Sequence, residues 1–351
     1  IPLLIIAMLI YNRWKKKALI LFGENKLVKE LMHSFSKWRT QIKNILTILV
    51  FIILCTPSSS AIVIDAADEL EGTYEASGGR TLLVEELSAT WCSSCSEIDP
   101  YLMEVADSHG SRISIITYHP SDDVDAFQPE ASQHRIDRLK ITHHEIGSTP
   151  SFIVDGGIIR VGPESWPDVQ KDILTKEVNN PSPSDLKFEL KKVNGTIEAS
   201  VKEFKSQGNG NNISQLTFIL AEHSVKVPDG FTNPGEDTRD RVVTGVAECN
   251  LQNNTIGYSS GFSNALVNGN SCESGFTVSL DENISKFSLV LVHERVIENL
   301  TTQDTSVNTY GVVEYSYRDV EVSDSWNNLM IILIGFTIIG FLWHSYQKTK
   351  K

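Results

Sequence analysis

Cysteine is scarce in this chain, basic charge is in deficit, and there is no internal repeat. Five Cys among 351 residues cannot frame a disulfide-stapled miniprotein, and 22 Gly are far too few for a collagen-like chain. With 31 Lys and Arg against 44 Asp and Glu, a net −13, the chain lacks the basic surface that general nucleic-acid binding requires. What it does have is 41% hydrophobic residues. That excludes wholesale disorder and allows two cores at roughly 100–200 residues per domain.

The acidic excess is unevenly placed. Residues 1–60 hold nine Lys and Arg but only Glu24 and Glu30, and residues 327–351 hold three Lys and no acid. This leaves 19 basic and 42 acidic side chains, a charge of −23, in residues 61–326. Lys37, Arg39 and Lys43 precede an apolar run from Ile45 to Cys55, followed by Thr-Pro-Ser-Ser-Ser-Ala at 56–61. The run rises only about 16 Å as a helix, short of a bilayer core, so 32–60 reads as a secretory signal peptide. Met32 makes a natural start, and 1–31 then read as an extension of the gene model. At the other end, residues 326–346 present a largely apolar stretch bounded by Trp326 and Tyr346 and followed by Lys348, Lys350 and Lys351. The expectation is a single transmembrane helix there, with tail 347–351 cytoplasmic and 61–325 extracytoplasmic at the cell membrane.

The Pro- and Ser-rich segment Asn179–Ser184 divides the middle of the chain. Before it, strand patterns at Thr81–Leu87, Arg112–Tyr118, Ser151–Val154 and Ile158–Val161 alternate with helical spacing at Glu97–Ser108, Ala131–Ile141 and Glu164–Val178, which indicates an α/β domain over 61–180. After it, seven Val-, Ile-, Phe-, Thr- and Tyr-rich segments between 186 and 320 predict a β-sandwich over 185–322. Sequons beginning at Asn194, Asn212, Asn253, Asn283 and Asn299 mark candidate glycosylation sites on that second domain.

Cys55 leaves with the signal peptide, so four cysteines remain. Cys92 and Cys95 stand in Trp91-Cys-Ser-Ser-Cys, directly after a strand and at the opening of a helix. Unpaired N–H groups and the helix dipole favour a thiolate there, which makes Cys92 the attacking sulfur and Cys95 the resolving one. Glu86, at the end of the preceding strand, is placed to take the Cys95 proton. Pro100 falls inside the helix, and Thr149-Pro150 precedes a strand as a candidate cis bond. The residues also permit a static Cys92–Cys95 bridge, or half of a metal site joined by His119, His143 and His144. Cys249 and Cys272 flank a loop and fit a structural bridge.

Strand, W-C-x-x-C at a helix start, kink proline and Thr-Pro before a hairpin together resemble the thioredoxin family over roughly residues 70–178. The resemblance implies a thioredoxin-like α/β domain with Cys92 as nucleophile, Cys95 as resolving thiol, Glu86 where the family carries a buried Asp, and Pro150 as the cis-proline. Trp91 and Thr149 complete that site. Together with the downstream all-β domain, residues 82–107 are also similar to the Omp28-related surface proteins, which pair a thioredoxin-like domain with an immunoglobulin-like one. The function expected is a membrane-anchored thiol–disulfide oxidoreductase that needs no cofactor, acts on protein thiols and disulfides, and makes no use of nucleic acid. The alternative is a surface binding or adhesion protein on a non-catalytic scaffold.

Overall fold

The structure is a computed structural model, and it describes residues 61–65, 70, 72–179, 184–193, 195–206, 213–281, 283–296 and 309–319. The leader over 1–60, most of the linker, the span 326–346, the tail 347–351 and the sequons at Asn194, Asn212 and Asn299 lie outside the described residues.

Among the described residues the chain forms β1 (Ala61–Asp65), β2 (Thr73–Gly78), β3 (Leu82–Leu87), α1 (Ser93–His109), β4 (Ile113–Tyr118), α2 (Glu130–Thr142), β5 (Ser151–Val154), β6 (Ile159–Val161) and α3 (Trp166–Asn179). It continues through β7 (Ser184–Val193), β8 (Thr196–Ser206), β9 (Ser214–Glu222), β10 (Val225–Lys226), β11 (Thr238–Arg239), β12 (Val242–Asn250), β13 (Thr255–Ser260), β14 (Asn264–Val267), β15 (Phe276–Asp281), β16 (Phe287–Arg295) and β17 (Thr309–Arg318). Ten strands make one sheet in the order β1-β17-β16-β9-β12-β4-β3-β5-β6, with β13 paired to β12; five make a second in the order β14-β15-β8-β7-β2.

The period of two along each strand separates the faces of the large sheet. Ile219, Val243, Val246, Val290 and Val292 share one face with Leu83, Ile116 and Ile153, and they pack with Ile136 and Leu139 of α2. On the opposite face Leu82, Val84, Ile115 and Phe152 meet Ile98 and Leu102 of α1 and Ile173 of α3. Farther along the strand order, Phe218, Leu220, Leu289 and Tyr315 pack on Phe188, Leu190 and Val278 of the five-stranded sheet. Both β3 and β4 are buried along their whole length, as central strands of a covered sheet should be.

The expected α/β thioredoxin-like domain, followed by a separate immunoglobulin-like sandwich and a transmembrane helix, is corrected by this arrangement. The protein is mainly β-sheet. The strands assigned to the first domain pack α1 and α3 on one face, but they form no sheet of their own and continue into the large sheet. The edge of β4 is covered by β12, with Val242 opposite Thr117 and the Thr117 N–H bonded to the Arg241 carbonyl at 2.9 Å. An unpaired backbone group is costly to bury, and at this position of the β4 edge the second half of the chain supplies the partner. β1 and β2, which chain order would place in the first domain, instead pair with β17 and β7.

The membrane placement is corrected as well. Among the described residues no helix is long and apolar enough to cross a membrane. The longest, α1, has 17 residues and carries Glu97, Asp99 and Glu104. No described helix supports the single-pass anchor expected at 326–346 or the cell-membrane assignment that rested on it.

Candidate active site

β3 ends at Leu87, and five residues later the chain turns into α1 with Cys92 as its N-cap. Cys92 has the extended backbone of a cap (φ −81°, ψ 112°), and its Sγ accepts the Cys95 N–H at 3.1 Å. Ser and Asp usually fill this position through oxygen, so the cap is built from sulfur instead. The two cysteines form a disulfide. Cys92 is 5% exposed and Cys95 1%, while Trp91 beside them is 36% exposed. Pro100 lies inside α1, and the Thr149–Pro150 bond is cis. Pro150 is buried, and its carbonyl accepts the Gly162 N–H at 2.9 Å.

The loop after β4 clasps the cysteine turn, a feature that sequence reasoning missed. The Trp91 indole N–H donates to Asp122 Oδ2 at 2.9 Å. Asp125 Oδ2 accepts from the Thr90 N–H at 2.8 Å and from His119 Nδ1 at 2.8 Å. Burial works to raise the Asp125 carboxyl, but the His119 bond and the N–H groups of Phe127 and Thr90 outweigh it and leave the pKa lowered. His119 meets Asp125 through Nδ1, and its Nε2 is buried without a hydrogen-bond partner. The available signal was the Asp122-Asp-x-Asp125 run, which closes a side-chain turn: Asp122 Oδ1 accepts the N–H groups of Val124 and Asp125 at 3.0 and 2.7 Å.

Glu86 stands opposite Thr117 in the parallel β3–β4 pair and accepts the Thr117 hydroxyl at 3.0 Å through Oε2. Burial, and then the nearby Asp99 charge, hold its carboxyl well above the usual range. It lies on the floor of a cavity of about 220 Å³ that also takes in Ser96, the neighbour of Cys95. Asp99 of α1 lines the same cavity, and burial raises its carboxyl to about 6 even with Arg239 close by. Sequence reasoning found Glu86 but missed Asp99 and Arg239. The latter is 140 residues away along the chain, and no local pattern marks it.

Cys249 and Cys272 are joined in a disulfide and fully buried in the core between the two sheets. Asn253 and Asn283 lie on exposed loops. Among the described residues no cluster of His, Cys, Asp and Glu is arranged to hold a metal. His143 is spent on the Gly157 carbonyl at 2.7 Å, so the three histidines do not gather at the cysteines.

No family model and no curated protein matches the chain. Among solved structures it is similar to HBP35 of Porphyromonas gingivalis, with 12% identity and a TM-score of 0.48 over 70% of this chain and 78% of that one. It is also similar to a structural-genomics target from Agrobacterium tumefaciens, with 11% identity and a TM-score of 0.44 over 70% of this chain and 97% of that one.

Proposed function

We propose that Cys92 and Cys95 carry out thiol–disulfide exchange with protein thiols and disulfides. The observation that supports this most directly is the seat of Cys92 at the N-cap of α1, with its sulfur bonded to the Cys95 N–H. Free N–H groups and the positive end of the helix favour a thiolate at that point.

In the reducing direction the Cys92 thiolate attacks one sulfur of a substrate disulfide, forming a mixed disulfide and expelling the other sulfur as a thiolate. Cys95 then gives up its proton, and its thiolate attacks Cys92 Sγ. That closes Cys92–Cys95 and frees the second substrate thiolate. Two electrons pass from the pair to the substrate, and the reverse sequence oxidises substrate thiols. Relative reduction potentials decide the direction. Glu86 is assigned to receive the Cys95 proton: burial raises its pKa and so makes its carboxylate a stronger base than an ordinary one. Neither direction calls for a cofactor.

The test is disulfide exchange on insulin with dithiothreitol as reductant. Cys92→Ser should abolish it, and Cys95→Ser should accumulate mixed disulfides on non-reducing gels. Full exchange by Cys92→Ser would overturn the assignment. A binding protein with a static bridge would instead resist mild reductant, leaving Cys92 and Cys95 closed to alkylation.

A further inference from the structure

Three buried polar atoms without a hydrogen-bond partner line one cavity: Glu86 Oε1, Ser88 Oγ and His119 Nε2. Each of these residues is at most 1% exposed. A buried polar atom left unpaired costs free energy, and three around one space indicate a space that is filled. They sit at the carboxyl ends of the parallel strands β3 and β4, where sheets with parallel strands commonly hold ligands.

The walls and mouth are acidic. Asp99 comes from α1, while Glu236, Asp240 and Arg239 come from the β10–β11 hairpin and its exit. Arg239 is already committed. Its Nη1 donates to the Glu236 and Thr238 carbonyls at 2.6 and 3.0 Å, its Nη2 donates to Asn233 Oδ1 at 2.6 Å, and its Nε lies 3.7 Å from Asp99 Oδ2. The floor offers three polar atoms without a partner, Glu86 Oε1, Ser88 Oγ and His119 Nε2. The mouth adds further carboxylates. The carboxylates around the space repel an anion, whereas a primary ammonium carries three N–H donors and a positive charge.

We infer that this cavity binds a primary alkylammonium group. Two sources fit the chemistry, a free alkylamine or a lysine side chain of a bound protein, which would then lie beside Ser96 and next to the Cys92–Cys95 pair. The cavity shares Glu86 with the exchange chemistry proposed above, and amine binding is tested with the disulfide closed so that the two readings fail separately.

The experiment uses protein labelled with 13C-methyl methionine. Met103 lines the cavity, and its resonance is assigned by Met103→Leu. n-Butylamine at neutral pH should shift the Met103 methyl saturably in the millimolar range, and n-butanol, the neutral analogue, should not. Asp99→Asn, at the half-open mouth, and Glu86→Gln, on the floor, should each weaken n-butylamine by about ten-fold. N-acetyl-lysine methylamide separates the sources: binding at least as tight as n-butylamine assigns the site to a protein lysine, and exclusion of it assigns the site to a free amine. Absence of a saturable shift with either amine, an equal response to n-butanol, or unchanged affinity in both variants would overturn the inference and leave the cavity to water.

Discussion

Arg135 of α2 donates two hydrogen bonds, at 2.8 and 3.0 Å, to Glu294 of β16, a residue 159 positions away, and both side chains are buried. The same guanidinium reaches Glu85 of β3 at 2.9 Å and the Tyr118 hydroxyl of β4 at 3.1 Å. Thr217 and Gln215 of β9 complete the shell around Glu294, at 2.6 and 3.2 Å. One side chain thus ties α2 to strands from both halves of the large sheet. Removing it leaves the buried Glu85 without its cation and Glu294 with Arg138 alone, at 3.2 Å. Arg135→Met should lower unfolding free energy by about 3–5 kcal/mol, measured by denaturant titration. Adding Glu294→Gln should recover part of that loss, since the orphaned charge is what costs most. A loss under about 1 kcal/mol would mean the network does not join the halves.

The same network sets an acid limit. Burial works to raise the Glu294 carboxyl, but Arg135 and Arg138 outweigh it and hold the pKa at about 2, against an ordinary 4.5. A folded-state value below the unfolded one gives stability that is fully present above pH 4.5 and lost as pH falls toward 2. Denaturant midpoints measured across that window should fall by an amount on the order of 3 kcal/mol. In Glu294→Gln the pH dependence of this window should flatten.

Asp155 behaves in the opposite sense. Burial raises its carboxyl from 3.8 to about 7, although Lys176 nearby works to lower it. A folded-state value above the unfolded one makes the ionised group a cost that is full above pH 7 and gone below about pH 4. Asp155→Asn should therefore stabilise the protein at pH 8, by about 1–3 kcal/mol, and lose that advantage on acidification. The backbone at 155 is left-handed, with φ 49°, a conformation that Asn accepts readily. Equal effects at pH 8 and pH 4 would assign the gain to something other than charge.

Much of the local structure was legible in the sequence, because it is written locally. The apolar run Thr81–Leu87 and the helical spacing of Ile98 and Leu102 indicated β3 and α1, and Trp91-Cys-x-x-Cys indicated the cap. What failed was membership. Whether β4 ends a small domain or continues into β12 depends on a pairing between Thr117 and Val242, and nothing near either residue encodes it. The site divides the same way. Glu86 could be found from its distance to Cys92 along the chain. Arg239 meets Asp99 beside it only because the β10–β11 hairpin folds back onto α1.

The two disulfides should respond differently to removal. Cys249–Cys272 closes a loop with a sequence separation of 23 and is buried between the sheets. Replacing both with Ala should cost roughly 3 kcal/mol from the loop entropy alone, more if the core does not close. The Cys92–Cys95 ring spans a separation of only 3. Replacing both with Ser should shift the unfolding midpoint far less, while removing any exchange activity. Comparable losses for the two pairs would class both as structural.

Gly235 holds the hairpin against α1. A Cβ built there would fall 2.9 Å from the Ser96 Cβ and 2.7 Å from Arg239 Nη2. The guanidinium end can swing away, but the Ser96 Cβ is fixed to the first turn of the helix, so the hairpin must move. Gly235→Ala should therefore cost about 1–3 kcal/mol, as overpacking usually does. It should also loosen Arg239 from Asp99 and weaken n-butylamine at the cavity. Ser96→Gly removes the opposing carbon at a helix-propensity cost of about 1 kcal/mol. If the close approach is the cause, the double variant should be more stable than the sum of the single losses, and a double-mutant cycle measures the coupling directly. Strict additivity would show that the hairpin is held by contacts other than this one.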